Sequence, residues 1–113
     1  MIQVKDVDRI FQVPGGQFQA LKKINAEIPK GSLTILKGRS GSGKTTLMNI
    51  IGTLDNPSAG EVWIDGRAVK GMSDKERENL RRRDMGFVFQ AVALIPTMNA
   101  FQNVEFSMRM AGI

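Results

Sequence analysis

The chain has 113 residues, which is enough for one compact domain and too few for two ordinary ones. Its hydrophobic share of 42% and charged share of 24% are those of a soluble globular protein, and no apolar stretch is long enough to cross a bilayer. The net charge of +5 suits a polyphosphate ligand, nucleic acid or an anionic membrane surface. The absence of cysteine excludes a disulfide framework, and the start of the chain has no secretory-signal character, which fits a reducing cytoplasm.

The first third of the chain predicts three strands. Residues 2–11 and 20–28 read as two strands around a turn at Pro14-Gly15-Gly16. A second turn at residues 29–31 leads into an apolar run, Leu33-Thr34-Ile35-Leu36, which predicts a buried strand over residues 32–37.

The next segment, Gly38–Thr45, has the spacing G-x-x-x-x-G-K-[ST] of a phosphate-binding P-loop. Its glycines allow backbone N–H groups to point at phosphate oxygens, and the helix that follows presents its positive end to the same anion. Lys44 would reach the β- and γ-phosphates, and the Thr45 hydroxyl would join a Mg²⁺ shell. The alternative is a glycine-rich turn without a ligand. The strand before the loop and the amphipathic helix after it favour phosphate binding; the apolar face of that helix is formed by Leu47, Ile50, Ile51 and Leu54.

A short strand follows the P-loop helix. The helix should end near Leu54, because the segment from Asp55 to Gly60 is dense in helix breakers. Glu61-Val62-Trp63-Ile64 then runs as a strand into Asp65-Gly66. An apolar strand that ends in Asp invites comparison with a Walker B metal ligand. The hairpin-turn interpretation is better, since Asp-Gly is a strong turn signal and no Glu follows.

Further along, Ser73 and Glu76 have the capping-box spacing, which predicts a helix beginning near Asp74. This helix carries Arg81-Arg82-Arg83, and Glu78 lies four residues before the middle arginine. The cluster could suit nucleic acid, but no aromatic residues are interleaved with it to stack on bases. A solvated helix with ion pairs is the simpler interpretation, and no nucleic acid partner is expected.

The last third contains an apolar β-type run and a capped helix. Gly86-Phe87-Val88-Phe89 is the apolar run, and it ends at Gln90; residues 94–96 form a loop. Asn99 and Gln102 have the spacing of a capping pair for a final helix. One side of that helix is apolar and predicts core or interface packing; it consists of Phe101, Val104, Met108 and Ala111.

Taken together, these segments resemble the ABC-type ATPases, and the resemblance extends from residue 1 to residue 113. The sequences of these segments are similar to those of the branch of lipoprotein- and macrolide-exporter ATPases, which also includes the cell-division ATPase. The segments that carry the resemblance are Gly38–Leu47, Leu54–Val62, Ile64-Asp65-Gly66, Gly86–Gln90 and Asn103-Val104-Glu105.

The resemblance implies roles for individual residues. Phe11 matches the A-loop aromatic that stacks on adenine, where the family more often has Tyr; the alternative is an ordinary packed strand residue. Gln90 matches the Q-loop glutamine, which contacts Mg²⁺ and the attacking water and senses the membrane partner, and its amide has the acceptor and donors for both. Mg²⁺ would be held by Thr45 and Gln90. The residues that would bind ATP are Phe11, Gly38, Arg39, Ser40, Gly41, Ser42, Gly43, Lys44, Thr45 and Thr46.

The sequence also departs from the family pattern. It contains no signature of the Leu-Ser-Gly-Gly-Gln type, no apolar Walker B strand ending in Asp-Glu, and no histidine. The expected fold is therefore an α/β P-loop NTPase core with an N-terminal antiparallel β portion, forming an incomplete ABC ATPase domain. Residues 1–113 would be the N-terminal part of that nucleotide-binding domain. A longer complete protein, a second chain that supplies the remainder, and a degraded or split gene product all remain open.

The resemblance implies an ATP-binding component that couples MgATP binding and hydrolysis to transport by a membrane permease. Its partners would be the permease, contacted by residues 91–98, and a second ATP-binding subunit. It would be cytoplasmic and peripheral on the inner face of the membrane. The alternative is a non-catalytic nucleotide-binding or interaction fragment that does not hydrolyse ATP on its own. A GTPase is disfavoured, because no Asn-Lys-x-Asp motif is present.

Overall fold

The computed structural model describes residues 1–91 and 94–113, and the chain divides into two compact units, Met1–Ser73 and Asp74–Ile113. The elements of the first unit are strands β1 (Ile2–Val13) and β2 (Gly16–Ile28), helix α1 (Lys44–Ile51), strands β3 (Ala59–Ile64) and β4 (Arg67–Ala68), and a 3₁₀ turn (Val69–Gly71). Those of the second are helices α2 (Asp74–Asp84) and α3 (Ala100–Met110).

The first unit is built on an antiparallel sheet with the strand order β2-β1-β3-β4. The two predicted N-terminal strands are confirmed, but both are longer than predicted: β1 runs two residues further and β2 begins four residues earlier, where Gly16, predicted in the turn, pairs with Val13. The turn between β3 and β4 places Asp65 at φ 48° and Gly66 at φ 79°, a left-handed pair that suits a two-residue hairpin. The hairpin interpretation of Asp65 is therefore confirmed.

The core of this unit lies between the sheet and α1. Leu47 and Ile50 are three residues apart in α1, which places them on the same side of the helix, and both are buried. The helix ends at Ile51 with Gly52 as its C-cap, three residues before the predicted end, and Leu54 is largely exposed. The buried apolar residues of the unit are Val4, Val7, Leu21, Leu47, Ile50, Val62, Ile64 and Val69.

The buried strand predicted over residues 32–37 is not formed. This segment pairs with no strand, and Leu33 and Ile35 are 90% and 70% exposed. A strand needs a neighbour about 4.8 Å away to satisfy its backbone N–H and C=O groups. Within the ranges 1–91 and 94–113 no strand is placed beside this one. The pattern shows that the segment has apolar side chains suited to burial, but it does not show which strand would pair with the segment.

The second predicted apolar strand, Gly86–Phe89, is likewise not formed. The segment is exposed, and Val88 is fully exposed. Phe87 and Phe89 stack their rings at a centroid distance of 5.9 Å and an interplanar angle of 8°. The two rings thus stack on each other, although no strand lies beside them in the described residues.

The two helices of the second unit begin where predicted. α2 begins at Asp74 and places its three arginines in the last turn, where cations favour the helix dipole. The described ion pairs do not include Glu78 with Arg82; the Arg82 guanidinium donates to Asn79 Oδ1 at 3.3 Å.

The predicted capping pair of α3 is confirmed. Asn99 Oδ1 accepts from the Gln102 N–H at 2.8 Å, and Gln102 Oε1 accepts from the Asn99 N–H at 3.0 Å. The apolar side of α3 does not pack into a core, since Phe101, Val104 and Met108 are all exposed. Interface packing for this side remains a prediction.

Candidate functional site

The candidate site is the loop between residues 32–37 and helix α1. Gly41 and Gly43 adopt φ values of 80° and 96°, a left-handed conformation that glycine reaches without a Cβ penalty. Gly43 is also the N-cap of α1, and its carbonyl accepts the first helical bond from the Leu47 N–H at 2.9 Å. The backbone of the loop thus changes direction at Gly41 and again at Gly43, immediately before helix α1.

Gly43 fixes the loop against the sheet. A Cβ at this position would lie 2.7 Å from the Ala20 carbonyl oxygen and 3.0 Å from Leu21 Cδ2, both in β2. Real Cβ atoms do not approach an oxygen this closely, so only glycine allows the start of α1 to lie on β2. The phosphate-binding pattern therefore has a packing reason at Gly43 in addition to its chemical one.

The mouth of the loop is closed by Gly38, Ser42 and Lys44. The Lys44 ammonium donates to the Gly38 carbonyl across the loop, and the Ser42 N–H donates to the Arg39 carbonyl at 3.1 Å. A Cβ at Gly38 would lie 2.5 Å from Ser42 Oγ. The charge of Lys44 is therefore held at the loop by its own backbone, next to the start of α1.

The start of α1 is suited to an anion. The first i to i−4 bond of the helix is donated by Leu47, so the N–H groups of Lys44, Thr45 and Thr46 precede the helical ladder. The first turn carries no acidic side chain, which leaves the positive end of the helix dipole without a countercharge. Thr45 is exposed, whereas Lys44 and Thr46 are half-buried. N–H groups, dipole and ammonium therefore lie together at one loop, which is the arrangement that binds phosphate.

Phe11 lies in β1, close to the point where the loop touches the sheet. Gly43 packs on Ala20 and Leu21 of β2, and Leu21 pairs with Arg9, two residues before Phe11. At the strand rise of about 3.3 Å per residue, this places Phe11 about 7 Å further along the hairpin. The ring is half-buried. The fold thus brings the predicted aromatic to the neighbourhood of the predicted P-loop.

Gln90 belongs to the other unit, Asp74–Ile113, and is exposed at the end of the apolar run. Its role stays a prediction. Of the segment predicted to meet the permease, Val92 and Ala93 lie outside the described residues. Asn103 organises the rest of that loop, since its side chain accepts from the Ile95 N–H at 2.8 Å and donates to the Asn99 carbonyl at 2.9 Å.

Sequence reasoning missed the residues around Arg9. The Arg9 guanidinium forms an ion pair with Asp55 at 2.8 Å, and its centre lies 4.1 Å from the centroid of the Phe11 ring. Partial burial raises the pKa of Asp55, but hydrogen bonds from Arg9 and the Asn56 N–H outweigh it and hold the pKa below its ordinary value. The only signal in the sequence was a basic residue two positions before the aromatic, which alone does not predict a contact.

Asp65, the weaker metal-ligand candidate, is engaged in the hairpin turn. Its carboxylate accepts from the N-terminal ammonium of Met1 at 2.6 Å, and its N–H donates to the Met1 carbonyl at 2.8 Å. The hydrogen bond and charge of the N-terminus hold the pKa of Asp65 below its ordinary value. Among the described residues no group of three or more His, Cys, Asp or Glu side chains could hold a metal ion.

A glycine loop that seats the start of a helix on a sheet, with a lysine across its mouth, defines a P-loop protein. The family model described as "ABC transporter" matches residues 21–113, and the chain belongs to that family. This confirms the expected fold class. No helix among the described residues is long and apolar enough to span a membrane.

The relatives agree with the exporter branch predicted from the sequence. The chain is 43% identical to the lipoprotein-releasing system ATP-binding protein LolD of Bacteroides thetaiotaomicron, over 100% of this chain and 50% of that protein. It is 41% identical to the macrolide export ATP-binding/permease protein MacB of Hahella chejuensis, over 100% of this chain and 17% of that protein. The chain thus spans half or less of the length of these relatives.

A solved structure matches the fold closely. The ATP-binding cassette MJ0796, from Methanocaldococcus jannaschii, was solved as a dimer in a post-hydrolysis state bound to ADP and Pi. It superposes with a TM-score of 0.91 at 40% identity, over 98% of this chain and 48% of that one.

Proposed function

We propose that this chain binds MgATP and belongs to the ATP-binding component of an ABC transporter. In this proposal residues 1–113 form the N-terminal part of the nucleotide-binding domain. The component acts with a membrane permease and a second ATP-binding subunit, at the cytoplasmic face of the membrane. The names of the relatives, which include an ATP-binding/permease protein, support a permease partner, and the dimeric cassette supports a second subunit.

The observation that carries the proposal is the arrangement of the loop from Gly38 to Thr46. Backbone N–H groups at the start of α1, an uncompensated helix dipole and the Lys44 ammonium converge on one place. Polyphosphate is the ligand that all three favour. When polyphosphate binds, Lys44 exchanges the Gly38 carbonyl for phosphate oxygens. The contact that prepositions the lysine is weaker than the ionic contact that replaces it.

Residues Arg39 to Ser42 have a different task in this proposal. They form the wall of the loop, with two left-handed glycine conformations nearby that let consecutive N–H groups face inward. Their own side chains are exposed, so their contribution comes from the backbone. We expect substitutions of Arg39 or Ser40 to change affinity much less than substitution of Lys44.

Mg²⁺ fits the site through oxygen donors. The Thr45 hydroxyl lies at the exposed start of α1, and Mg²⁺ prefers a shell of few protein oxygens completed by water and substrate phosphates. Thr45 would give the ion its hydroxyl oxygen, and the ion would neutralise phosphate charge; a role for Gln90 rests on the resemblance alone. The proposal therefore needs no carboxylate cluster.

The adenine role of Phe11 is supported by its position along the hairpin. A nucleotide whose phosphates lie at the start of α1 extends its base away from the loop, and Phe11 lies about 7 Å from the point of contact along the strand. The half-buried ring has a flat apolar surface of the kind that stacks on a base. Stacking on Phe11 would therefore make the site bind ATP more tightly than tripolyphosphate, which has no base.

The test compares Lys44→Ala with Lys70→Ala in thermal unfolding with and without MgATP. At a ligand concentration of 100 times Kd, binding stabilises the folded state by about 2.7 kcal/mol. We expect this stabilisation in the parent and in Lys70→Ala, which removes an exposed lysine from the 3₁₀ turn. Lys44→Ala should lose it while keeping the unliganded melting temperature within a few degrees. Equal stabilisation of both variants would refute phosphate binding by the P-loop.

A further inference from the structure

Arg9 is held in one orientation by three hydrogen bonds to two groups, the Asp55 carboxylate and the Ile10 carbonyl. Its Nε and one terminal nitrogen donate to the two carboxylate oxygens of Asp55 at 2.8 and 3.3 Å, a fork-to-fork arrangement. Its other terminal nitrogen donates to the Ile10 carbonyl at 2.8 Å. The side chain is only 22% exposed. Because guanidinium is planar, these bonds fix the plane of the group and not only its charge.

The fixed guanidinium lies against Phe11. The distance of 4.1 Å from its central carbon to the ring centroid is well inside the range of a cation–π contact. Arg9 and Phe11 are two residues apart in β1, so both side chains project from the same face of the strand. Arg9 therefore occupies one face of the ring that is proposed to stack on adenine.

The same contact joins the ring to the segment that follows α1. Asp55 holds Arg9, and Ser58 Oγ accepts from the Ile10 N–H at 2.9 Å, while the Ser58 N–H donates to the Asp8 carbonyl at 2.7 Å. The loop after the P-loop helix is thus bonded to β1 on both sides of Arg9. Within the unit Met1–Ser73, a continuous series of contacts thus runs from the phosphate loop through α1 and the loop that follows it to the Phe11 ring.

We propose that Arg9 is a positioning residue for base recognition: it backs the Phe11 ring, fixes the ring's orientation and leaves the opposite face for the purine. This inference rests on the proposed nucleotide-binding function. A ring that is already oriented loses less rotamer freedom when the base arrives, which increases affinity without a new ligand contact. The cation also draws electron density from the ring. Arg9 is assigned no contact with the phosphates in this proposal.

The test measures ATP and tripolyphosphate affinities of the protein by isothermal titration calorimetry in the parent, Arg9→Met, Phe11→Leu and the double variant. Methionine keeps a long unbranched side chain but removes the charge and the planar fork. We expect Arg9→Met to weaken ATP by about three- to tenfold, the scale of the rotamer freedom lost when one side chain is ordered on binding. Tripolyphosphate affinity should stay within twofold. In the Phe11→Leu background Arg9→Met should have little further effect on ATP.

Three results would overturn the inference. Equal weakening of ATP and tripolyphosphate would show that Arg9 serves the phosphates or the fold. An undiminished effect in the Phe11→Leu background would show that Arg9 does not act through the ring. Tighter ATP binding by Arg9→Met would show that the guanidinium occupies the face the base needs.

A second variant keeps the inference testable if Arg9→Met does not fold. Arg9→Lys retains the charge and the ion pair with Asp55 but loses the plane, so ATP should weaken and tripolyphosphate should not. ATP binding by Arg9→Lys equal to that of the parent would overturn the role of the fixed plane. Failure of the proposed function is distinguishable, because a parent that binds neither ligand refutes the P-loop assignment before Arg9 is considered.

Discussion

The packing of Gly43 on β2 gives a quantitative prediction for the P-loop. Gly43→Ala places a Cβ 2.7 Å from the Ala20 carbonyl oxygen at a residue whose φ is +96°. The left-handed conformation costs a non-glycine residue about 1–2 kcal/mol, and overpacking a fixed contact costs about 1–3 kcal/mol. We therefore expect Gly43→Ala to lower the free energy of unfolding by about 2–5 kcal/mol, the sum of both terms.

Gly41→Ala is the matched control. Gly41 has a φ of +80°, nearly the same backbone conformation, but an added Cβ would meet no atom within 4 Å. It should therefore lose only the conformational part, about 1–2 kcal/mol. The difference between the two variants isolates the contact between the start of α1 and β2.

Urea denaturation followed by circular dichroism measures both values, and MgATP titration measures the consequence for the site. Relief of the clash moves the start of α1 off β2, so Gly43→Ala should bind MgATP more weakly than Gly41→Ala at temperatures where both are folded. Equal destabilisation by the two substitutions would refute the packing argument. Equal destabilisation together with unchanged ATP binding would also refute the claim that this contact positions the phosphate loop.

Three further predictions concern the ring, the Asp55 pair and turnover. Phe11→Ala should weaken ATP and leave tripolyphosphate unchanged, whereas Phe11→Tyr should bind ATP nearly as the parent does; weakening of both ligands by Ala would make the residue structural. The pKa of Asp55 is lowered in the folded state, so its contribution to stability is present above the ordinary aspartate pKa and is lost as pH falls through the folded value. Melting temperatures from pH 7 to 2 should therefore fall less steeply for Asp55→Asn than for the parent, and parallel curves would contradict the pairing. The purified 113-residue chain should bind MgATP without releasing phosphate above background, because a cradle for ground-state phosphates does not by itself stabilise the transition state; hydrolysis abolished by Lys44→Ala would contradict this.

Features that depend on neighbouring residues in the sequence were predictable. The P-loop spacing, the Asp65-Gly66 turn and the Asn99 capping box each depend on residues only a few positions apart, so a short pattern is enough to predict them. The first hairpin belongs to the same class, since its two strands are joined by a short turn.

The Arg9 network could not be predicted in this way. Arg9 meets Asp55 across 46 residues of sequence, and the contact depends on where the loop after α1 returns to β1. A lone arginine in a strand has many possible partners, and no spacing rule selects one. The clash that makes Gly43 obligatory was hidden for the same reason, because it involves the backbone of Ala20, which every residue type shares.

The two predicted strands did not form for the same physical reason: neither segment has a partner strand. The phosphate loop does not depend on such a partner. An apolar run such as Leu33–Leu36 or Gly86–Phe89 predicts which side chains are to be buried. A ladder of backbone hydrogen bonds forms only when a second strand lies beside the run. The phosphate loop, by contrast, takes its contacts from α1 and β2, both inside Met1–Ser73. Loss of ATP binding in a Gly43 or Lys44 variant is therefore attributable to the loop itself, whether or not the apolar runs acquire partners.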